Sequence, residues 1–177
     1  MRPIIMNPTY QNPSNIRLNV IMGRPHPLIV QSMRFVLKET GYQPVSYRQM
    51  NHLASDSVVG TVVSTSVTND QSMTFDQVLN AIRGRFPNIP LVVATIMNID
   101  FAATMVEKIF IEHEIQDSVV KLSQWNSAPR ALPGHAEARA LLVHRDELEA
   151  SESRTTFQKA IHQHFRLRST TALSGTR

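Results

Sequence analysis

Runs of apolar, largely β-branched residues recur along this chain, and a segment of helical periodicity separates each from the next. Residues 18–22 (LNVIM), 58–67 (VVGTVVSTSV) and 91–96 (LVVATI) are apolar at nearly consecutive positions rather than alternate ones. A strand built from such a run buries both of its faces. Val119, Val120 and Leu122 suggest another strand, and a short one is expected over 43–47. Ile29, Met33, Val36 and Leu37 mark a helix over 28–40 that stops at Gly41. Phe75, Val78, Leu79 and Ile82 mark one over 74–86, and Phe101, Met105, Val106 and Ile109 mark one over 100–114. A further helix is expected around 48–54. Strands and helices in alternation, with apolar strands, predict an α/β fold: a doubly wound parallel sheet of five strands covered on both faces.

Beyond Gln124 the pattern admits two readings. Residues 126–134 form a loop with two prolines, and 135–150 is rich enough in Ala, Leu and Glu for a helix. The alternative makes 140–144 (ALLVH), rather than 118–122, the fifth strand. A last amphipathic helix is expected over 152–167 on Phe157, Ile161 and Phe165. The expected organisation is an extended arm over 1–15, which contains Pro3, Pro8 and Pro13, one domain over 16–167 with an insertion at about 123–150, and a flexible basic tail over 168–177.

Composition narrows the function classes. The 177 residues suffice for one domain with an extension. No apolar run reaches the roughly eighteen residues of a membrane span, and residues 1–15 lack the apolar core of a secretory signal. No contact with membranes is expected. Cysteine is absent, which removes disulfides, thiolate catalysis and cysteine-ligated zinc and is consistent with a cytoplasmic protein. Residues 1–150 carry 13 basic and 13 acidic side chains, so the net charge of +4 sits beyond them, on Arg154, Lys159, Arg166, Arg168 and Arg177 against Glu152. Arg154, Lys159, Arg166 and Arg168 are candidate contacts for nucleic acid or an acidic partner. A solvated helix end explains them equally well.

Residues 18–42 (LNVIMGRPHPLIVQSMRFVLKETGY) resemble the first strand and helix of bacterial response-regulator receiver domains, particularly the NarL-like branch, with His26-Pro27 kept in register. Residues 75–97 (FDQVLNAIRGRFPNIPLVVATIM) resemble the third helix and fourth strand of that family, and the strand order extends the likeness to 16–122. The resemblance implies a CheY-like (flavodoxin-like) fold and a pocket whose residues can be compared one by one. The family's magnesium-holding acidic pair falls on Arg24 and Pro25. Its phosphoacceptor Asp falls within 64–67, where no Asp stands and Ser64 comes first; Asp70 is the nearest. The switch hydroxyl matches Thr95. The lysine ending the fifth strand matches Lys121, although Leu122 replaces the proline that usually follows. Hard divalent ions require oxygen ligands, so the resemblance supplies a fold while these residues withdraw the phosphoryl chemistry. The expectation is an atypical, phosphorylation-independent receiver with no enzymatic activity and no cofactor, acting by protein–protein contact in signal transduction or transcription control, and forming a homodimer through helix 28–40 or the region 100–167.

Individual residues keep competing readings. Arg24 makes a structural salt bridge, with Asp70 as one partner, or binds an anion, or does neither. Thr95 and Lys121 fit a ligand-binding strand edge, or are an ordinary strand-end threonine and a solvated lysine. This leaves an alternative function, a small-ligand or anion receptor at the strand C-terminal pocket. His162 and His164 point in different directions on a helix, and Glu112, His113 and Glu114 do not converge either, so no metal site is expected. Ser64, Thr65, Ser66 and Thr68 lack the turn and base of a nucleophile, and no glycine-rich phosphate loop is present.

Overall fold

A computed structural model describes residues 18–65, 73–128 and 138–166; the expected arm over 1–15, Asp70 and the tail over 168–177 lie outside them. The first strand, β1 (Leu18–Gly23), leads into α1 (Pro27–Glu39). His26 caps this helix, its ring accepting the Leu28 amide, and Pro27 stands at the first helical position, where a missing amide costs nothing. Gly41, with a φ of +95°, turns the chain out of the helix. Then come β2 (Tyr42–Ser46), β3 (Val58–Ser64), α2 (Phe75–Arg85), β4 (Leu91–Thr95), α3 (Ile99–Glu112), β5 (Ser118–Lys121), β6 (Arg139–His144), α4 (Arg145–Glu149) and α5 (Ser151–Arg166).

The strands pair in parallel in the order β2-β1-β3-β4-β6-β5. The expected doubly wound sheet is present, with six strands instead of five, because both candidates for the fifth strand are strands. The later one wedges between β4 and the earlier one. Burial explains the choice of places: Ala140–Val143 is fully buried, as an inner strand must be, whereas β5 starts with an exposed Ser118 and suits an edge. Only residues 145–149 of the expected helix over 135–150 are helical, and 129–137 lie outside the described residues.

The helix expected around 48–54 is replaced by two 3₁₀ turns, Tyr47–His52 and Ser55–Ser57. Tyr47, Met50 and Leu53 are the residues packed inward there, and a spacing of three eclipses side chains in a 3₁₀ turn but not in an α-helix. Helix α3 also differs from expectation in its buried face, which carries Ala102, Ala103, Val106 and Phe110, while Phe101 is 64% exposed.

Alternation along the strands divides the core in two. Val20, Met22, Val62, Val92, Ala94, Leu141 and Val143 meet α1, α4 and α5 on one face. Ile21, Val63, Leu91, Val93, Ala140 and Leu142 meet α2 and α3 on the other. Each large apolar side chain buried in these layers contributes about 1.5–3 kcal/mol. Phe157, Ile161 and Phe165 are buried as the periodicity of α5 requires, and Phe165 lies so close to β3 that a Cβ on Gly60 would sit 2.2 Å from its ring. No helix among the described residues is long and apolar enough to cross a membrane.

Candidate functional site at the carboxyl edge of the sheet

Parallel strands bring their carboxyl ends to one edge. The pairings Gly23 with Val63, Ser64 with Ala94 and Thr95 with His144 set the ends of β1, β3, β4 and β6 side by side there. The chain leaves β1 for β2 on one side and returns to β3 on the other. The strand order therefore reverses between β1 and β3, the place where open α/β sheets hold ligands.

Arg24 and Pro25 follow β1 at this reversal. Arg24 has a φ of +49°, uncommon for a residue with a side chain, and is 6% exposed. Its guanidinium makes no hydrogen bond or ion pair with the described residues, and its Nε is buried without a partner. Burial pulls its pKa below the ordinary arginine value, and the Asp76 carboxylate opposes that shift. The expected salt bridge with Asp70 lies outside the described residues.

Asp76 belongs to the first turn of α2. Thr74 caps this helix through a reciprocal pair, its hydroxyl accepting the Gln77 amide and the Gln77 side chain accepting the Thr74 amide. The Thr74 hydroxyl also donates to Asp76 at 2.7 Å and holds that carboxyl below the usual carboxylate range. His113 stands 3.5 Å from the same carboxylate.

Ser64 and Thr65 end β3 in buried positions. The Thr65 hydroxyl donates to the fully buried Thr95 Oγ1 at 2.9 Å, and that oxygen also accepts the Met97 amide at 3.1 Å. Arg24, Pro25, Ser64 and Thr95 thus stand at one edge of the sheet. Lys121 stands apart from them. It ends the edge strand, one strand further out, and pairs with Asp100 of α3. The position beside Thr95 is held by His144, which caps α4: its ring accepts the Asp146 amide and Glu147 accepts the His144 amide. Sequence reasoning missed His144 because β6 and β5 competed for one place in the order. It missed Asp76 because a first-turn carboxylate reads as helix capping.

The described side chains among the candidate basic residues, Arg154 and Lys159, are placed on α5, whereas the side chain of Arg166 and all of Arg168 lie outside the described residues. Arg154 lies over the Phe35 ring at 5.7 Å, and Lys159 is exposed. His162 and His164 diverge, the first towards the Tyr42 hydroxyl and the second donating to the Leu91 carbonyl at 2.9 Å. Among the described residues no three His, Asp or Glu side chains converge on a metal position. A guanidinium, a proline and two hydroxyls that share a hydrogen bond do not fit the hard cation that a receiver fold implies.

The chain matches no protein-family model and no curated protein. Its structure is similar to that of a response regulator receiver domain protein from Clostridium thermocellum, with a TM-score of 0.50 and 9% identity over 86% of this chain and 97% of that one. A response regulator receiver protein from Sinorhizobium medicae WSM419 aligns with a TM-score of 0.46 and 12% identity over 84% of this chain and 94% of that one. At such identity the first likeness establishes the fold, a receiver-type parallel α/β sheet.

Proposed function

We propose that this chain is a receiver-like regulatory module that works by protein–protein contact and without phosphoryl transfer. The observation that carries this reading is the buried Arg24 guanidinium beside Pro25, at the end of β1, where receivers place metal-binding carboxylates. A fixed cation there repels a divalent ion. The hydroxyls of Ser64 and Thr65 at the end of β3 offer no carboxylate to take up a phosphoryl group. Without metal or acceptor, neither charge neutralisation nor attack has a residue to perform it.

Exposed apolar side chains support contact with a protein partner. Leu28 and Phe35 stand seven residues apart on α1, and Phe101 and Ile111 project from α3. The test is incubation of the full chain with a small phosphodonor and magnesium, followed by intact-mass measurement. No phosphoryl adduct is expected. A stoichiometric, magnesium-dependent adduct would overturn the reading.

A further inference from the structure

Four arginines leave a buried nitrogen without a hydrogen bond: Arg24, Arg83, Arg139 and Arg145. Three of them have other partners for the same guanidinium. Arg83 holds Asp117, Arg139 lies over the Trp125 ring, and Arg145 faces Glu149. Arg24 has none among the described residues, yet it is the one placed where the strand order reverses. A buried guanidinium Nε without an acceptor is costly, and a fold retains it most readily where the group as a whole meets a ligand.

The groups around it indicate what that is. Thr65 and Thr95 share one hydrogen bond, and Thr95 Oγ1 already accepts the Met97 amide. This pair of hydroxyls is neutral and largely satisfied by its own bonds, so the charge at this edge is left to Arg24. Helix α1, thirteen residues long, starts three residues after Arg24 and adds the positive end of its dipole. The nearby carboxylate, Asp76, is held by Thr74 and faces His113. A full cation together with a helix N-terminus favours a doubly charged oxyanion such as phosphate over a singly charged carboxylate.

We propose that the crevice between the ends of β1 and β3 binds a small tetrahedral oxyanion of the phosphate class, with Arg24 as its charge partner. The proposal goes beyond the regulatory reading by giving its pocket a ligand, and it shares that reading's account of Arg24. Binding is reversible and forms no covalent bond, so the two fail separately: a covalent adduct sinks phosphorylation independence, whereas absence of a reversible effect sinks only the ligand.

The experiment titrates the full chain with inorganic phosphate, sulfate, acetate and a 5′-mononucleotide, each against chloride of equal ionic strength, and follows melting temperature and heat of binding. Phosphate and sulfate should raise the melting temperature saturably, and acetate should do so less. A mononucleotide that matches or exceeds phosphate assigns the site to a phosphate ester, and a weaker one assigns it to the free ion. Arg24→Met should remain folded, since it removes a buried unpaired charge, and should weaken binding about tenfold or more. Asp76→Asn removes the nearby negative charge and should tighten binding several-fold. No effect of phosphate or sulfate beyond chloride would overturn the proposal. So would an effect that Arg24→Met retains, or an affinity that Asp76→Asn leaves unchanged.

Discussion

Arg83 meets Asp117 with both prongs of its guanidinium, Nη1 donating to Oδ1 at 2.6 Å and Nη2 to Oδ2 at 2.8 Å. Nη2 also donates to the Ile89 carbonyl at 3.2 Å. One side chain thereby ties the last turn of α2 to the turn before β4 and to the entry of β5. The Asp117 carboxylate is buried, so truncating it strands a partly buried cation. Asp117→Ala should cost about 3 kcal/mol in urea unfolding. Arg83→Met combined with Asp117→Leu should lose clearly less than the two single changes added together. Strict additivity would mean that the two groups act independently.

Gly60 and Phe165 make a second long-range contact. A Cβ on Gly60 would lie 2.2 Å from Cε1 and 2.5 Å from Cδ1 of the Phe165 ring, which also meets Tyr42 edge-on at 5.3 Å between centroids. Gly60→Ala should therefore destabilise by about 2–3 kcal/mol through overpacking, despite the better strand propensity of alanine. Shortening the ring in Gly60→Ala/Phe165→Leu should recover part of that loss, as read from denaturation midpoints. If Gly60→Ala is neutral, α5 is free to shift off the sheet.

The cap of α2 gives a prediction in pH. The Thr74 hydroxyl lowers the Asp76 pKa from its ordinary value. A carboxyl depressed in the folded state adds stability above its unfolded pKa, near 4, and that stability is lost as pH falls through the folded value. Thr74→Ala should cost about 1 kcal/mol at neutral pH through loss of the cap, and the difference from the unmodified chain should narrow below about pH 4. Melting temperatures from pH 2 to 7 test this. A gap that widens in acid would show that the Thr74–Asp76 bond favours the neutral carboxyl.

The exposed apolar residues of α1 predict an oligomer. Leu28 and Phe35 are both more than half exposed on one stripe of the helix. Light scattering of the full chain should give the mass of a dimer, and Phe35→Asp should shift it towards monomer at a modest cost in stability, because more than half of that side chain is exposed and the Arg154 guanidinium over the ring can pair with the new carboxylate. A strict monomer at high concentration would rule out the expected homodimer and leave contact with a different protein.

What was legible in the sequence follows from where a single physical cause decides the outcome. The inner strands were readable because two buried faces demand unbroken apolar residues, as in Leu91–Thr95. Helix α1 was readable because Ile29, Met33, Val36 and Leu37 face one core. Strand order past β4 was not, since Ser118–Lys121 and Arg139–His144 are both plausible strands and only burial between neighbours separates inner from edge. Lys121 was consequently matched to a place that His144 occupies. Phe101 misled for a related reason: it continues the apolar period of α3 while small alanines, Ala102 and Ala103, do the packing. At the carboxyl edge, Arg24, Pro25, Ser64 and Thr95 could be placed because each follows a readable strand, whereas Asp76 comes from a helix whose distance to Arg24 depends on the folded sheet.

The position of β6 also imposes an order on assembly. β5 pairs with β6 and with no other described strand, so a segment synthesised earlier has no ladder to join until one synthesised later has docked beside β4. A nascent or proteolysed chain ending before residue 139 leaves β4 with an open flank, a template for pairing with a neighbouring molecule. Commitment to the monomeric sheet is therefore made late, by a six-residue segment acting as a keystone.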